Sequence, residues 1–365
     1  LNTTTFVAGV LIAILAALIL VRFIFGLGAV TNLNNGYPFG LWIVADVVIG
    51  SAFACGGFAM ALLVYIFNKG QYHALVRPAL LSSLMGYTLA GLGVVLDVGR
   101  YWNLWNMFWP WSVNLNSVMF EVAMCISIYV GVMWIEFSPV FMEKFGLGKA
   151  KKLLNRYMFF FIALGVVLPM MHQSSLGTLL IIAGGQVHPL WYTSALPLLF
   201  LLSCIIMGYA IVLFESCLAA AAYRRQIEMH LLTPLAKVAL GVVVAYLVVR
   251  FGDLVMRGEL ARAFEPNIAA VAFWVETACF VAGLALIASE SQRRNPARLF
   301  VAGILLMSAG AILRLNAFLI TFDTGAGFHY FPSLTEILVT CGVFATEVMG
   351  YIVITRRFPV LPREA

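Results

Sequence analysis

The sequence predicts an all-α integral membrane protein of about ten transmembrane helices, arranged as helical bundles, and three observations carry that prediction. Of 365 residues, 63% are hydrophobic and only 10% are charged, whereas soluble domains carry about 25% charged residues. Mean hydropathy is +0.99. Apolar runs of roughly 20 residues, each long enough to cross a hydrocarbon core about 30 Å thick, recur along the whole chain. Lysine and arginine then gather on one side of the resulting topology.

Taken in order, the expected spans are 6–25, 39–67, 77–98, 117–143, 153–183, 196–222, 232–256, 267–289, 298–320 and 334–355. The first is too long for a signal-peptide core and lacks a small-residue cleavage pattern after it, so it reads as a retained helix. The second carries Asp46 at the head of a face that continues through Gly50, Ala54 and Gly57, small residues that let another helix approach closely. The third holds Tyr87 and ends at Asp97 and Arg100; the fourth holds Glu121 and Glu136. The fifth contains the polar stretch "LPMMHQSSLGTLL", residues 168–180, and the sixth carries Glu215. Arg250 and Asp253, Glu276, Arg314, and then Glu336 and Glu347 mark the last four, where interhelical pairing is the expected role. Six cysteines are scattered through apolar spans without C-x-x-C spacing and read as small core residues.

Lys69, Arg77, Lys144, Lys149, Lys151, Lys152, Arg156, Arg224, Arg225, Lys237, Arg293, Arg294, Arg298, Arg356, Arg357 and Arg363 share one side, 16 of the 22 basic residues. The other side holds neutral loops such as "GLGAVTNLNNGYPFG" and the tryptophan-dense "RYWNLWNMFWPWSVNLN". Both termini are therefore expected in the cytoplasm of a bacterial inner-membrane protein. The basic balance reflects this bias, and no basic run with interleaved aromatics points to nucleic acid. No linker or clear repeat divides the chain, so residues 1–365 read as one membrane domain, with the polar cluster in about 1–225 and the remaining helices in about 226–365.

At about 1.5 Å per residue, His172 lies roughly 28 Å along the fifth helix, in the outer third of the bilayer. Glu121 sits about one turn inside the fourth helix and Asp46 roughly 10 Å below the outer surface, while Tyr87 falls near the midplane. Ionisable groups on four helices near one leaflet are costly in lipid unless they line a cavity or pair internally, which makes them a candidate site. Each has a plainer alternative: an Asp97–Arg100 ion pair, a satisfied core His172, an interhelical bond for Asp46, an interfacial belt for Trp102, Trp105, Trp109 and Trp111. A bis-histidine haem needs paired histidines inside the bundle. Only His172, of five, is well inside a span. Metal transport and alternating-access transport are equally poorly served, for want of a midplane ligand cluster and of paired broken helices. A quinone needs one or two protonatable hydrogen-bonding groups near a leaflet boundary, and the outer cluster meets that need. Pro169 is expected to bend the fifth helix so that His172 and Gln173 face a cavity.

The phrases "FGLWIVADVVIGSAFACGG", "VYIFNKGQYHALVRPALL", "LDVGRYWN", "VNLNSVMFE", "MHQSSLGTLLI" and "VHPLWYTSALPLLF" resemble HybB-type membrane subunits of nickel-iron uptake hydrogenases, within the wider NrfD and polysulfide-reductase membrane-subunit family. The similarity runs from about Arg22 to Pro362. It implies a haem-free subunit, without an iron-sulfur cluster of its own, that exchanges electrons with menaquinone. The implied partners are a periplasmic ferredoxin-like iron-sulfur subunit and the hydrogenase small and large subunits; whether two complexes pair as a dimer stays open. On this reading His172 and Glu121 form the head-group and proton site, with Arg100, Tyr101 and Gln173 as weaker quinone-binding candidates. Tyr87, Asp97, Asp46, Glu136 and Glu215 are candidates for a proton relay, although Glu136 and Glu215 also read as ordinary acids at the inner interface. The competing class is a passive membrane anchor, which has no reason to bury ionisable groups.

Overall fold

The structure, a computed structural model, describes residues 3–325 and 327–360; Arg363 lies outside the described residues. Among these, ten helical spans are long and apolar enough to cross a membrane: α1 (Thr3–Phe25), α2 (Ile43–Ile66), α3 (Gly70–Asp97), α4 (Val118–Lys144), α5 (Gly148–Gln186), α6 (Leu196–Tyr223), α7 (Met229–Arg257), α8 (Ile268–Leu286), α9 (Pro296–Ile320) and α10 (Leu334–Arg357). Several begin at polar caps, as the orphan amides of a first turn require: Ser117, Asn267, Asn295 and Ser333 each accept from backbone N–H groups of the helix they start. The connections after α2, α4, α6 and α8, with the end of α10, form a basic face; the connections after α1, α3, α5, α7 and α9 form the neutral face.

The helices pack as two units with the same neighbour pattern. In the first, α2 touches α3, α3 touches α4, α4 touches α5, and α5 returns to α2. In the second, α6, α7, α8 and α9 repeat that ring. The units meet where α6 packs on α2 and α5, and where α9 packs on α2. Helices α1 and α10 pair with each other and lean on α3. Thus α6, grouped at first with the amino-terminal half, also completes the second unit.

Helix α2 differs from the single continuous helix expected over 39–67. It runs as a π-helical stretch Ile43–Ile49, a short α turn Gly50–Phe53, a break at Ala54–Cys55, the α segment Gly56–Ala61 and a second π-helical stretch Leu62–Ile66. Such irregularity survives at membrane depth only where neighbouring protein satisfies the freed backbone. Here it does: the Gly57 N–H donates to Ser83 Oγ of α3 at 2.6 Å. The small-residue face packs on α3 as a ladder, because a side chain at Gly86 would come 2.7 Å from Ala54 Cβ, and one at Gly93 would meet Asp46 Cβ at 3.4 Å. Helix α5 also departs from expectation. It starts five residues earlier than the expected 153.

Two further expectations are met only in part. Cys341 is exposed on α10, and Cys279 is only partly covered, so the cysteines are not uniformly core residues. The interhelical pairing expected of the later charges holds for Arg250, which faces Glu276 of α8 at 3.8 Å, but not for Asp253, which takes Arg257 one turn along α7 at 2.8 Å. The i+4 partner lies on the same helix stripe as Asp253, whereas Arg250 points into the second unit.

Candidate functional site

The polar centre of the first unit is built from α2, α3 and α5, with one arm from α9. His172 and Gln173 are almost fully buried, as are Ser51 and Arg314. Arg314 Nη2 donates to Gln173 Oε1 at 2.9 Å. Since a guanidinium only donates, that bond orients the amide, and Gln173 Nε2 then donates to Ser51 Oγ at 3.0 Å. Ser51 Oγ also lies 3.0 Å from His172 Nε2. With Gln173 donating to it, Ser51 Oγ can offer its own proton to His172 Nε2, and in that arrangement the neutral imidazole carries its hydrogen on Nδ1. That nitrogen is buried and has no hydrogen-bond partner. A chain of four side chains from two units therefore ends on an unpartnered ring nitrogen.

Arg314 is held independently of this chain. Its Nη1 donates to Ser203 Oγ at 3.1 Å and to the Gly310 carbonyl at 3.0 Å, and the guanidinium lies over the Phe200 ring at 5.1 Å. Tyr87 is fully buried and meets the His172 ring edge-on, with centroids 6.0 Å apart. Its hydroxyl is 3.6 Å from Cys55 Sγ, and its ring meets Tyr129 at 4.5 Å.

Glu121 lies one turn toward the neutral face from this centre. Ser175 Oγ donates to Glu121 Oε1 at 2.8 Å, and Ser175 follows His172 by three residues on α5, which places both on one helix face. Glu121 is the fourth residue of α4, so the bond puts Ser175 about one turn from that helix end and His172 about 9 Å from it. Counted the same way, Ser51 and Arg314 lie roughly 9–12 Å from the neutral-face ends of α2 and α9. The cluster occupies one level.

The remaining candidates fall elsewhere. Among the described residues, no hydrogen bond or ring contact joins Arg100 or Tyr101 to His172. Tyr101 packs edge-on against Phe23 of α1 at 4.7 Å, and Arg22 covers its ring. No Asp97–Arg100 ion pair forms among the described residues. Arg100 is exposed, and it is Arg22 that binds this helix end, donating to the carbonyls of Leu96 at 2.6 Å and Val98 at 2.5 Å. Asp46 is buried beside Thr340 of α10, and Asp97 Oδ1 and Glu136 Oε1 have no hydrogen-bond partner. Glu136 rests against Gly165 of α5, where an added Cβ would collide with its carboxylate. Glu215, toward the basic face, accepts from Ser82 Oγ, and Glu347 of α10 lies close to it. No described hydrogen bond links this acidic pair to Tyr87. Sequence reasoning passed over Ser51 and set Arg314 aside. Ser51 looked like one more small residue in α2, and nothing local tells that Arg314 reaches across to α5.

The second unit has its own buried acid. Glu276 Oε2 accepts from Trp191 Nε1 at 2.9 Å and Asn316 Nδ2 at 3.0 Å, and Oε1 from the Tyr246 hydroxyl at 3.2 Å. Arg250 balances its charge and lies over the rings of Trp191 and Phe273. Among the described residues, no group of three or more His, Cys, Asp or Glu is placed to hold a metal ion.

Residues 29–326 match the family described as polysulphide reductase, NrfD. The chain is 45% identical, over 97% of its own length and 91% of the relative's, to the probable Ni/Fe-hydrogenase 2 b-type cytochrome subunit of Escherichia coli. It is 31% identical to a protein of Nitratidesulfovibrio vulgaris over 97% of this chain and 93% of that one. The integral membrane subunit of menaquinone reductase from the same organism is 30% identical over 62% of this chain and 56% of its own length. A b-type haem held by two histidines does not fit the residues present. His172 has no second intramembrane histidine facing it, since His73 and His230 stand at the basic face and His188 and His329 in neutral-face loops.

Proposed function

The chain belongs to the polysulphide reductase NrfD family, and on that premise we propose that it is the haem-free, quinone-reactive membrane subunit of a nickel-iron hydrogenase complex. The neutral face is periplasmic and the basic face cytoplasmic, in a bacterial inner membrane, with both termini inside. Electrons arrive from a periplasmic ferredoxin-like iron-sulfur subunit, supplied by the hydrogenase small and large subunits, and leave on menaquinone near the outer leaflet. The hydrogenase 2 relative supports the partners, and the menaquinone reductase relative supports the acceptor. Exposed Trp102, Trp105, Trp109 and Trp111 on the neutral face supply a surface where the iron-sulfur subunit docks.

The observation that carries the reading is the open His172 Nδ1. A buried donor left without a partner costs about 1–3 kcal/mol, and a quinone carbonyl is a ligand that repays it. In this mechanism Arg314, Gln173 and Ser51 hold the His172 tautomer that donates to the head group. Glu121, tied to the same helix face through Ser175, delivers a proton from its half-buried position. Reduction takes up two electrons and two protons. Tyr87, Glu136 and Glu215, with Asp46 and Asp97 nearer the outer side, are the buried groups along which protons drawn from the cytoplasm would couple turnover to charge movement.

The deciding experiment is hydrogen-driven reduction of a menaquinone analogue by membranes carrying the complex, beside reduction of a water-soluble dye. In His172→Ala and Glu121→Gln, quinone reduction collapses while dye reduction survives. Survival of both activities in both variants would instead make the subunit a passive anchor.

A further inference from the structure

At the basic face, a cavity of about 560 Å³ opens between the start of α7 and the segment that joins α8 to α9. Its wall carries Lys237 and His230 from α7, and Glu290, Arg293 and Arg294 from the connection, with Met229 as an apolar member. Three permanent cations thus face one carboxylate. Glu290 is already taken by Arg294 at 2.5 Å. Arg293 is buried and fixed: its Nη1 donates to the carbonyls of Ile287 and Ala288, both at 2.7 Å, and its Nε is buried without a partner. The backbone of this segment is anchored to α7 through Thr233 Oγ1, which donates to the Arg293 carbonyl at 3.3 Å. Lys237 is exposed and lies two turns into α7, about 12 Å from its start.

The direction of the apolar surface selects the ligand. From Lys237 the exposed face of α7 continues through Gly241, Val244 and Val248, residues on one stripe at helical spacing that face the hydrocarbon. A soluble anion would use the cations and leave that stripe idle. We propose that this cavity binds the phosphate of an anionic phospholipid, with Lys237, Arg293 and Arg294 around the head group and the acyl chains lying along Gly241, Val244 and Val248. Basic pockets between membrane helices on the cytoplasmic side suit such head groups. The assignment to the inner leaflet rests on the orientation proposed above; lipid binding itself does not.

The test uses the full-length chain, purified in its complex and mixed with equal amounts of phosphatidylglycerol and phosphatidylcholine, with retained lipid read by native mass spectrometry. Phosphatidylglycerol is retained in excess of phosphatidylcholine, and the Lys237→Gln/Arg294→Gln variant loses roughly fivefold or more of that excess. Arg356→Gln/Arg357→Gln removes the same charge from the exposed end of α10 and leaves the excess unchanged. Glu290→Gln raises it, which tests the site in a variant that removes no cation. Millimolar inorganic phosphate does not displace the lipid. Equal retention of the two lipids, or equal losses in the two double variants, would overturn the proposal. Displacement by inorganic phosphate would also overturn it, in favour of a soluble anion site.

Discussion

In the α2–α5 unit a line of hydrogen bonds ends on a buried ring nitrogen with no partner, whereas in the α6–α9 unit four groups converge on the single carboxylate of Glu276. The two units share one neighbour pattern and bury ionisable side chains within the bundle. Their polar centres differ in which atoms they leave unpartnered. The Glu276 carboxylate accepts from Trp191, Asn316 and Tyr246 and faces Arg250 at 3.8 Å, while the Arg250 guanidinium, packed over two rings, makes no hydrogen bond of its own. In the first the open atom is a ring nitrogen at the end of a hydrogen-bonded line, where a ligand carbonyl could meet it; in the second it is a guanidinium already neutralised by the acid beside it.

The comparison is broken most directly at its two centres. His172→Ala lowers quinone reduction by about 100-fold or more with dye reduction retained, as expected for loss of a positioned group at the reacting head. Glu276→Ala strands Arg250 and lowers both activities together, through a loss of folded complex of about 3–5 kcal/mol seen in thermal denaturation. A result in which Glu276→Ala spares stability and lowers quinone reduction alone would make the second centre functional.

Arg314 sharpens the contrast, because it belongs to the second unit and orients the first. Arg314→Lys keeps a charge and loses the fork that fixes Gln173; quinone reduction falls about tenfold, with the larger change in KM. Ser51→Ala removes the proton offered to His172 Nε2 and costs a similar factor, about 1.4 kcal/mol, while Ser51→Thr restores part of it. Last and smallest, Tyr246→Phe deletes one of the donors to Glu276, lowers stability by about 1 kcal/mol and leaves the kinetics of quinone reduction unchanged. Loss of quinone activity in Tyr246→Phe would erase the distinction between the units.

Much of this was legible in the order of residues, because a bilayer imposes length and polarity on every span. The ten helices, the single basic face, the polar run of α5 and the depth of Glu121 all follow from apolar length and charge placement. The broken course of α2 was not legible, since Gly56 and Gly57 read equally as close-packing residues in an intact helix. Only the presence of Ser83 opposite Gly57 makes the break affordable. Tyr101 and Arg100 seemed near His172 because their depths agree, but depth along a helix says nothing of direction around it.

Sequence alone thus determined that the chain crosses a membrane, how often, and which faces its loops occupy, because those features depend on transfer of each segment from water to hydrocarbon, one span at a time. The tertiary structure decided that Arg314, 141 residues beyond Gln173, reaches across to orient its amide, and that the interhelical partner of Arg250 is Glu276. Hydrogen bonds reach about 3 Å, so which partners meet depends on how ten helices rotate and pack, and no span carries that information by itself.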